Sequence, residues 1–155
     1  RKIEDFNRDK IFIRQSDTRV TATYSADLLF GNYSLFTAYH KSNNIDLLKV
    51  YLAILNSKVI TFYAIKKEIV LIKVGKTPQL RSGQRGPIGL RQLPFPKLEN
   101  EHKKNLACLV NQILSAKSDD SSADTSELEC QIDQLVYQLY NLTKEEIAII
   151  ENGVK

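Results

Sequence analysis

The hydrophobic pattern of the chain changes once, at the segment Leu93-Pro94-Phe95-Pro96. Before this segment, strand-like runs rich in β-branched and aromatic residues are mixed with stretches of helical spacing, and after it apolar residues recur every three or four positions throughout, as in amphipathic helices. Two prolines in four residues can neither continue a helix nor pair within a central strand. We therefore predict an α+β protein in two parts, residues 1–97 and 98–155, joined by an extended segment.

Residues 1–97 are expected to form a mixed, mainly antiparallel β-sheet with short helices. Three strand-like runs come first, and the first two are joined by a short polar turn that predicts a hairpin. The three runs are Lys10–Gln15, Arg19–Tyr24 and Ser34–His40. Two helices should follow, with Asp46 and Ser57 as their N-caps. Further strands are predicted at Ile69–Val74 and Gln79–Arg81.

Residues 98–155 are expected to form an antiparallel helical hairpin and a short C-terminal helix. Apolar residues recur at helical spacing over Leu106–Leu114 and again over Leu128–Leu142. We predict equal helices of about 16 residues, or roughly 24 Å each. Asp124 with Glu127 suggests a capping box for the second helix, and the sequence starting at Thr143 suggests another for the last one.

Charge is divided at the same place as the hydrophobic pattern. Residues 1–97 contain 17 Lys and Arg against 7 Asp and Glu, a net charge of +10, whereas residues 98–155 contain 5 against 11, a net charge of −6. A basic surface can displace the counterions of DNA and bind its phosphates. A solvated basic surface without a ligand explains the same excess equally well.

The sequence contains no recognisable catalytic or metal-binding motif. Gly75-Lys76-Thr77 resembles the end of a phosphate-binding P-loop, but Val70 stands where that motif requires glycine. The histidines and cysteines lack partners at metal-ligand spacing, so we expect structural roles for them. They are His40, His102, Cys108 and Cys130.

Three features of the composition bear on where the protein acts. Two cysteines are too few for a disulfide framework and fit a reducing cytosol, so we expect a cytoplasmic protein. No apolar run approaches the roughly 20 residues needed to cross a bilayer, and no membrane partner is expected. The chain contains no methionine, and we expect it to be part of a longer protein.

The basic segment Lys66–Arg91 is the best candidate for a nucleic-acid surface. Arginine can bind guanine bidentately, glutamine can do the same with adenine, and lysine neutralises phosphate. The candidate DNA-binding residues are Lys66, Lys67, Lys73, Lys76, Gln79, Arg81, Gln84, Arg85 and Arg91. A loop with incidental charge remains the alternative. Gly83-Gln84-Arg85-Gly86 matches the GxxG loop of KH domains, but the order of elements does not fit that fold.

Several stretches, taken in order, carry a family resemblance. They are the strand pair Lys10–Gln15 and Arg19–Thr23, the stretch Tyr51–Lys58 followed by Phe62-Tyr63, the exit Gln92–Pro96, and the tail Glu127–Ile150. In this order and spacing the chain resembles the TaqI-like C-terminal specificity domain, the target-recognition domain of type IIG restriction-modification enzymes. The stretches cover most of the chain. Residues 68–89 depart from the pattern, in the part that such families vary.

The resemblance implies that this chain recognises a sequence in double-stranded DNA. In proteins of this kind the recognition domain lies beside an adenine-N6 methyltransferase domain, often fused to a nuclease, that uses S-adenosylmethionine. The Asn-Pro-Pro-Tyr-type motif of that methyltransferase is absent here. We therefore expect a non-catalytic chain without a cofactor of its own, with S-adenosylmethionine bound by the parent's methyltransferase domain. The acidic hairpin would be a spacer that docks on the parent's other domains.

Two alternatives remain open. The chain is also compatible with the specificity subunit of a type I restriction-modification system, in which recognition is separate from the methyltransferase chain. A protein-interaction module whose helical hairpin binds a partner is the other alternative. The gene sequence upstream of Arg1 would distinguish a type IIG enzyme from a type I specificity subunit. A failure to bind DNA would favour the protein-interaction module.

Overall fold

A three-stranded antiparallel sheet begins the fold. The computed structural model describes residues 7–28, 34–73, 75–83 and 89–154. Strands β1 (Lys10–Arg14), β2 (Ala22–Ser25) and β3 (Leu35–Ala38) lie in the order β2-β1-β3. Both partners of β1 run antiparallel to it. The predicted antiparallel sheet and its first hairpin are confirmed, although the second strand begins three residues later than expected.

The central strand β1 alternates its side chains between the two faces of the sheet. Ile11 and Ile13 point to the face that joins the main hydrophobic core. Phe12, which lies opposite Thr23 and Thr37, belongs to the other face. The alternation explains why a five-residue strand of mixed composition has a single stable register.

Two helices, α1 (Ile45–Asn56) and α2 (Lys58–Lys66), follow the sheet and supply much of the core. The predicted cap at Asp46 is wrong, because the helix starts earlier. Asn44 is the N-cap, and its Oδ1 accepts a hydrogen bond of 2.8 Å from the Leu47 amide. Ser57 is confirmed as the cap of α2: its Oγ accepts from the Ile60 amide and donates to the Ile54 carbonyl.

Within the described part of the chain, no single helix is long and apolar enough to span a membrane. The pair α1 and α2 reaches the necessary length and composition only when both are taken together, and the two are bent by 58°.

A small hairpin of strands β4 (Val70–Leu71) and β5 (Gln79–Leu80) comes next. The strand predicted at Ile69–Val74 is shorter than expected, because its partner offers only two residues for pairing; Val74 itself lies outside the described residues. A 3-10 turn at Leu90–Gln92 leads into the predicted extended segment.

Three helices complete the chain: α3 (Asn100–Asp119), α4 (Ser126–Leu139) and α5 (Lys144–Gly153). Their lengths contradict the prediction of two equal helices, since α3 has 20 residues and α4 has 14. The last turns of α3 are largely exposed, so no apolar repeat marks where it ends.

The capping predictions for these helices had different outcomes. Asp124 and Glu127 do not form a capping box, because Thr125 is the N-cap of α4 and Asp124 instead accepts from the Ser126 amide at 2.9 Å. At α5 the box is confirmed. The Thr143 amide donates to the Glu146 carboxylate at 2.8 Å, and the Glu146 amide donates to the Thr143 hydroxyl at 3.3 Å.

The hydrophobic core is continuous between the two parts of the chain. It includes Ile13 of β1 and Ile54 of α1 together with Leu106 of α3 and Val136 of α4. Helix α3 packs most extensively on α1, and α4 packs beside α3. The division at residue 97 stays a prediction. The core packs the helical part on α1 and α2, and α1 in turn packs on the sheet.

Candidate nucleic-acid interface

The β4–β5 hairpin follows the end of α2 after a short turn. Glu68 takes a positive φ of 54°, which turns the chain, and the Ile69 amide donates to the Ala64 carbonyl at 2.8 Å. In the hairpin, Val70 faces Leu80 and Leu71 faces Gln79. Val70 and Leu80 are buried while Gln79 is exposed, as the two-residue period of a strand requires. The hairpin therefore presents Gln79 to solvent from a fixed backbone.

One backbone hydrogen bond attaches this hairpin to the main sheet, and two others fix its base. The Leu80 amide donates to the carbonyl of Gln15, just beyond β1, at 2.7 Å. The Arg81 amide donates to the Ile69 carbonyl at 2.8 Å, and the Leu90 amide donates to the Arg81 carbonyl at 2.9 Å. The hairpin is thus held to the sheet through Leu80 of β5.

Two pairs of predicted lysines flank the hairpin. Lys66 is the last residue of α2 and Lys67 is its C-cap, and both are exposed. The Lys66 ammonium lies 5.3 Å from the centre of the Phe62 ring. Lys73 and Lys76 are exposed in the connecting loop, where the Lys76 amide donates to the Lys73 carbonyl at 3.1 Å. One pair therefore lies at the base of the hairpin and the other in its loop.

The predicted arginines follow β5 in the chain. Arg81 directly follows β5 and is half-buried, and Arg91 is exposed in the 3-10 turn. The bond from Leu90 to Arg81 brings these two stretches together. Gln84 and Arg85 lie outside the described residues. The structure therefore groups seven of the nine predicted residues on or beside one hairpin.

Carboxylates do not neutralise this group within the described ranges. The ion pairs found there are Arg14 with Asp17 and Lys58 with both Asp133 and Glu151. None of them includes a lysine or arginine of the predicted surface. These cations are therefore available to an anionic ligand. Their binding to DNA phosphates is favoured by the release of the counterions condensed on the DNA.

The strand end that supports the hairpin was not predicted from the sequence. Gln15, whose carbonyl receives the Leu80 amide, precedes Leu80 by 65 residues in sequence, and Arg14 lies beside Gln15. Arg14 was recognisable only as a cation at the end of a strand. Its nearness to the basic segment depends on a long-range backbone bond that no local pattern encodes.

The remaining candidates for chemistry have ordinary surroundings. In the part of the chain that the structure describes, no group of three or more His, Cys, Asp and Glu residues could hold a metal ion. His40 Nδ1 accepts from the Asn44 amide at 3.2 Å and so supports the start of α1. Cys108 and Cys130 are free thiols exposed beside the groove between α3 and α4.

Comparison with known families agrees with this picture. A family model described as the TaqI-like C-terminal specificity domain matches residues 1–82, which is more than half of the chain. The chain is therefore of the class of specificity domains. These are generally non-catalytic parts of restriction-modification enzymes, and they determine which DNA sequence is recognised. The chain belongs to the family of TaqI-like C-terminal specificity domains. No curated protein matches the chain.

The matched range ends within the candidate interface. It includes the sheet, α1, α2 and the hairpin through Arg81, but not Arg91 or the helices α3 to α5. The family match therefore covers most of the predicted DNA-binding residues and says nothing of the acidic helical part.

Proposed function

We propose that the chain is the target-recognition domain of a type IIG restriction-modification enzyme and that the β4–β5 hairpin reads double-stranded DNA. One observation carries the proposal: the hairpin is fixed to the sheet by the Leu80–Gln15 bond and displays Gln79 among cations that no described carboxylate neutralises. Bases are read by side chains on a positioned backbone, because a base contact needs a defined distance and angle.

The shape of the hairpin suits the major groove, which is wide enough for a two-stranded ribbon. In this arrangement Gln79 and Arg81, together with Gln84 and Arg85, contact base edges. The lysines bind phosphates and set the register of the domain without reading sequence. These are Lys66, Lys67, Lys73 and Lys76, and Arg91 supplements them from the 3-10 turn.

We further propose that the parent protein is a cytoplasmic adenine-N6 methyltransferase, with or without a nuclease, that binds S-adenosylmethionine in its own catalytic domain. The chain itself needs no cofactor to recognise DNA. Its helical part has a net charge of −6, which disfavours contact with phosphate and favours docking on the parent's other domains. The type I specificity subunit remains the second candidate, and a methyltransferase motif upstream in the same reading frame would decide for type IIG.

Binding to labelled duplex DNA over a series of salt concentrations tests the phosphate-binding role of the lysines. Changing Lys73 and Lys76 together to glutamine should lower the slope of log affinity against log salt by about 0.9 for each phosphate that is no longer neutralised. Lys104 and Lys144 changed together to glutamine, the same loss of two charges at exposed positions of α3 and α5, should leave the slope unchanged. Salt-insensitive binding of the unaltered chain would contradict the proposal.

Selection from a randomised duplex pool tests the reading of bases. Arg81→Ala and Gln79→Ala should each relax the preference at one position, by about 1–3 kcal/mol of discrimination for a bidentate pair of hydrogen bonds. The lysine changes should weaken binding to all sequences alike. An unaltered sequence preference in both variants would remove the hairpin from base recognition.

A further inference from the structure

The turn between β1 and β2 is organised by a single carboxylate. Asp17 accepts hydrogen bonds from the Thr18 amide at 2.7 Å, from the Thr21 hydroxyl at 2.8 Å and from Arg14 Nη1 at 3.3 Å. The amide of Arg19 also donates to it. Four residues of one short turn therefore donate to this one side chain.

These donors outweigh the effect of burial on Asp17. Burial raises the pKa of this carboxyl, but the hydrogen bonds from Thr21, Thr18, Arg19 and Arg14 lower it by more, so that the net pKa lies below the ordinary value. Asp17 is therefore ionised at neutral pH. Its lone pairs are directed at donors within the turn, and the outward-facing group is the Arg14 guanidinium, whose side chain is 61% exposed.

Arg14 lies next to the point where the hairpin is attached. The carbonyl of the following residue, Gln15, is the one that receives the Leu80 amide. Arg19, at the other end of the turn, instead lines a cavity of about 460 Å³ together with Glu129 and Asp133 of α4. Asp17 lines this cavity too, but of the two arginines only Arg14 adjoins, in sequence, the residue that bonds to the hairpin.

We propose that Arg14 is a further DNA-contacting residue, which binds a backbone phosphate beside the β4–β5 hairpin, and that Asp17 is its positioning residue. The inference rests on the proposed function of the hairpin and adds a contact from the main sheet. The hydrogen bond at Nη1 uses one edge of the guanidinium and leaves other N–H groups for phosphate oxygens. An arginine held in this way loses less rotamer freedom on binding than a free one.

The first test removes the cation. Arg14→Gln in the full 155-residue chain should weaken binding to a labelled duplex of mixed sequence and lower the salt slope by about 0.9, without changing the base preference. Arg19→Gln is the matched control, with the same charge change in the same turn, and should leave the slope unchanged. Equal effects of the two changes would show that only net charge matters and would overturn the inference.

The second test removes the positioning group, Asp17. An electrostatic role and a positioning role of this carboxylate predict opposite changes in DNA affinity. Asp17→Asn makes the chain more positive by one charge, so a purely electrostatic effect would strengthen DNA binding. If Asp17 positions Arg14, affinity falls instead, although the net charge has risen. In the Arg14→Gln background, Asp17→Asn should cause no further decrease in affinity, because the group it positions is already gone.

The outcomes also separate this inference from the proposed function. If Arg14→Gln leaves the salt slope unchanged while the Lys73 and Lys76 changes lower it, the turn does not bind DNA and the hairpin still does. If neither variant alters the slope, the proposed function fails as well. Thermal unfolding of each variant, measured in parallel, shows that the turn has remained folded, and a further decrease in affinity from Asp17→Asn in the double variant would refute the positioning role.

Discussion

The contact between Asp133 and the start of α2 should contribute to the free energy of unfolding, because it joins the helical part to α2. Lys58 is the first residue of α2, so its amide has no acceptor within the helix. Asp133 of α4 supplies one: its Oδ1 receives the Lys58 amide at 2.9 Å, and its Oδ2 lies 3.8 Å from the Lys58 ammonium. The Asp133 side chain is only 10% exposed. One buried carboxylate thereby joins two helices from different parts of the chain.

Asp133→Ala leaves the Lys58 amide without an acceptor in a partly buried place. The removal of that acceptor should lower the free energy of unfolding by about 1–3 kcal/mol. Asp133→Asn keeps an oxygen for the amide and removes only the charge, so its effect should stay below about 1 kcal/mol. Urea denaturation of the two variants measures the difference directly.

The same carboxyl makes stability depend on pH. Burial raises the pKa of Asp133, and although the Lys58 amide and ammonium lower it, the net pKa lies above the ordinary value. The folded state therefore holds this proton more tightly than the unfolded state does. It follows that the contribution of Asp133 to stability is greatest at acid pH and decreases as pH rises through the folded-state pKa. Asp133→Asn should abolish this part of the decrease, which begins near the ordinary pKa of the carboxyl and is complete above its raised folded-state pKa.

Two results would refute this reasoning. Equal stability of Asp133→Ala and Asp133→Asn would show that the bond to the Lys58 amide contributes nothing. A pH profile of Asp133→Asn that parallels the unaltered protein would show that another group is responsible for the decrease.

Two further predictions concern the core and the hairpin loop. Leu106→Ala removes a fully buried side chain of α3 and should lower the free energy of unfolding by about 2–5 kcal/mol in urea denaturation; a decrease below about 1 kcal/mol would mean that α3 is not part of the core. Gly75→Ala places a side chain at a φ of 71°, in a site with no atom within 4 Å of the new Cβ. This strain of the backbone should lower the free energy of unfolding by about 1–2 kcal/mol. The substitution should also weaken DNA binding while the salt slope stays unchanged.

The local parts of the fold could be predicted because their information is local. The two-residue alternation of β1, the Ser57 cap and the Thr143–Glu146 capping box all involve residues that are close in sequence. The prediction of the N-cap of α1 failed because two residues of one segment could each cap the helix. Asn44 and Asp46 are both good caps, and only the start of the helix at Ile45 decides between them.

The candidate site was predicted in composition but not in arrangement. Its cations were visible in the sequence between Lys66 and Arg91, and so was their separation from the acidic helical part. Side-chain chemistry and net charge are properties of the chain itself, and folding does not change them. The family resemblance added the expectation of DNA recognition, which the match over residues 1–82 supports.

Tertiary structure decided which of these groups are brought together. The Leu80–Gln15 bond places the hairpin beside Arg14, and the Lys58–Asp133 bond joins residues 75 positions apart. Both are single contacts between an orphan backbone amide and an oxygen from a distant segment, and no periodicity marks their partners. Long-range contacts of this kind form only when the shared core has brought the segments together, so the sequence determined the elements and their charges, and packing determined the surface they make.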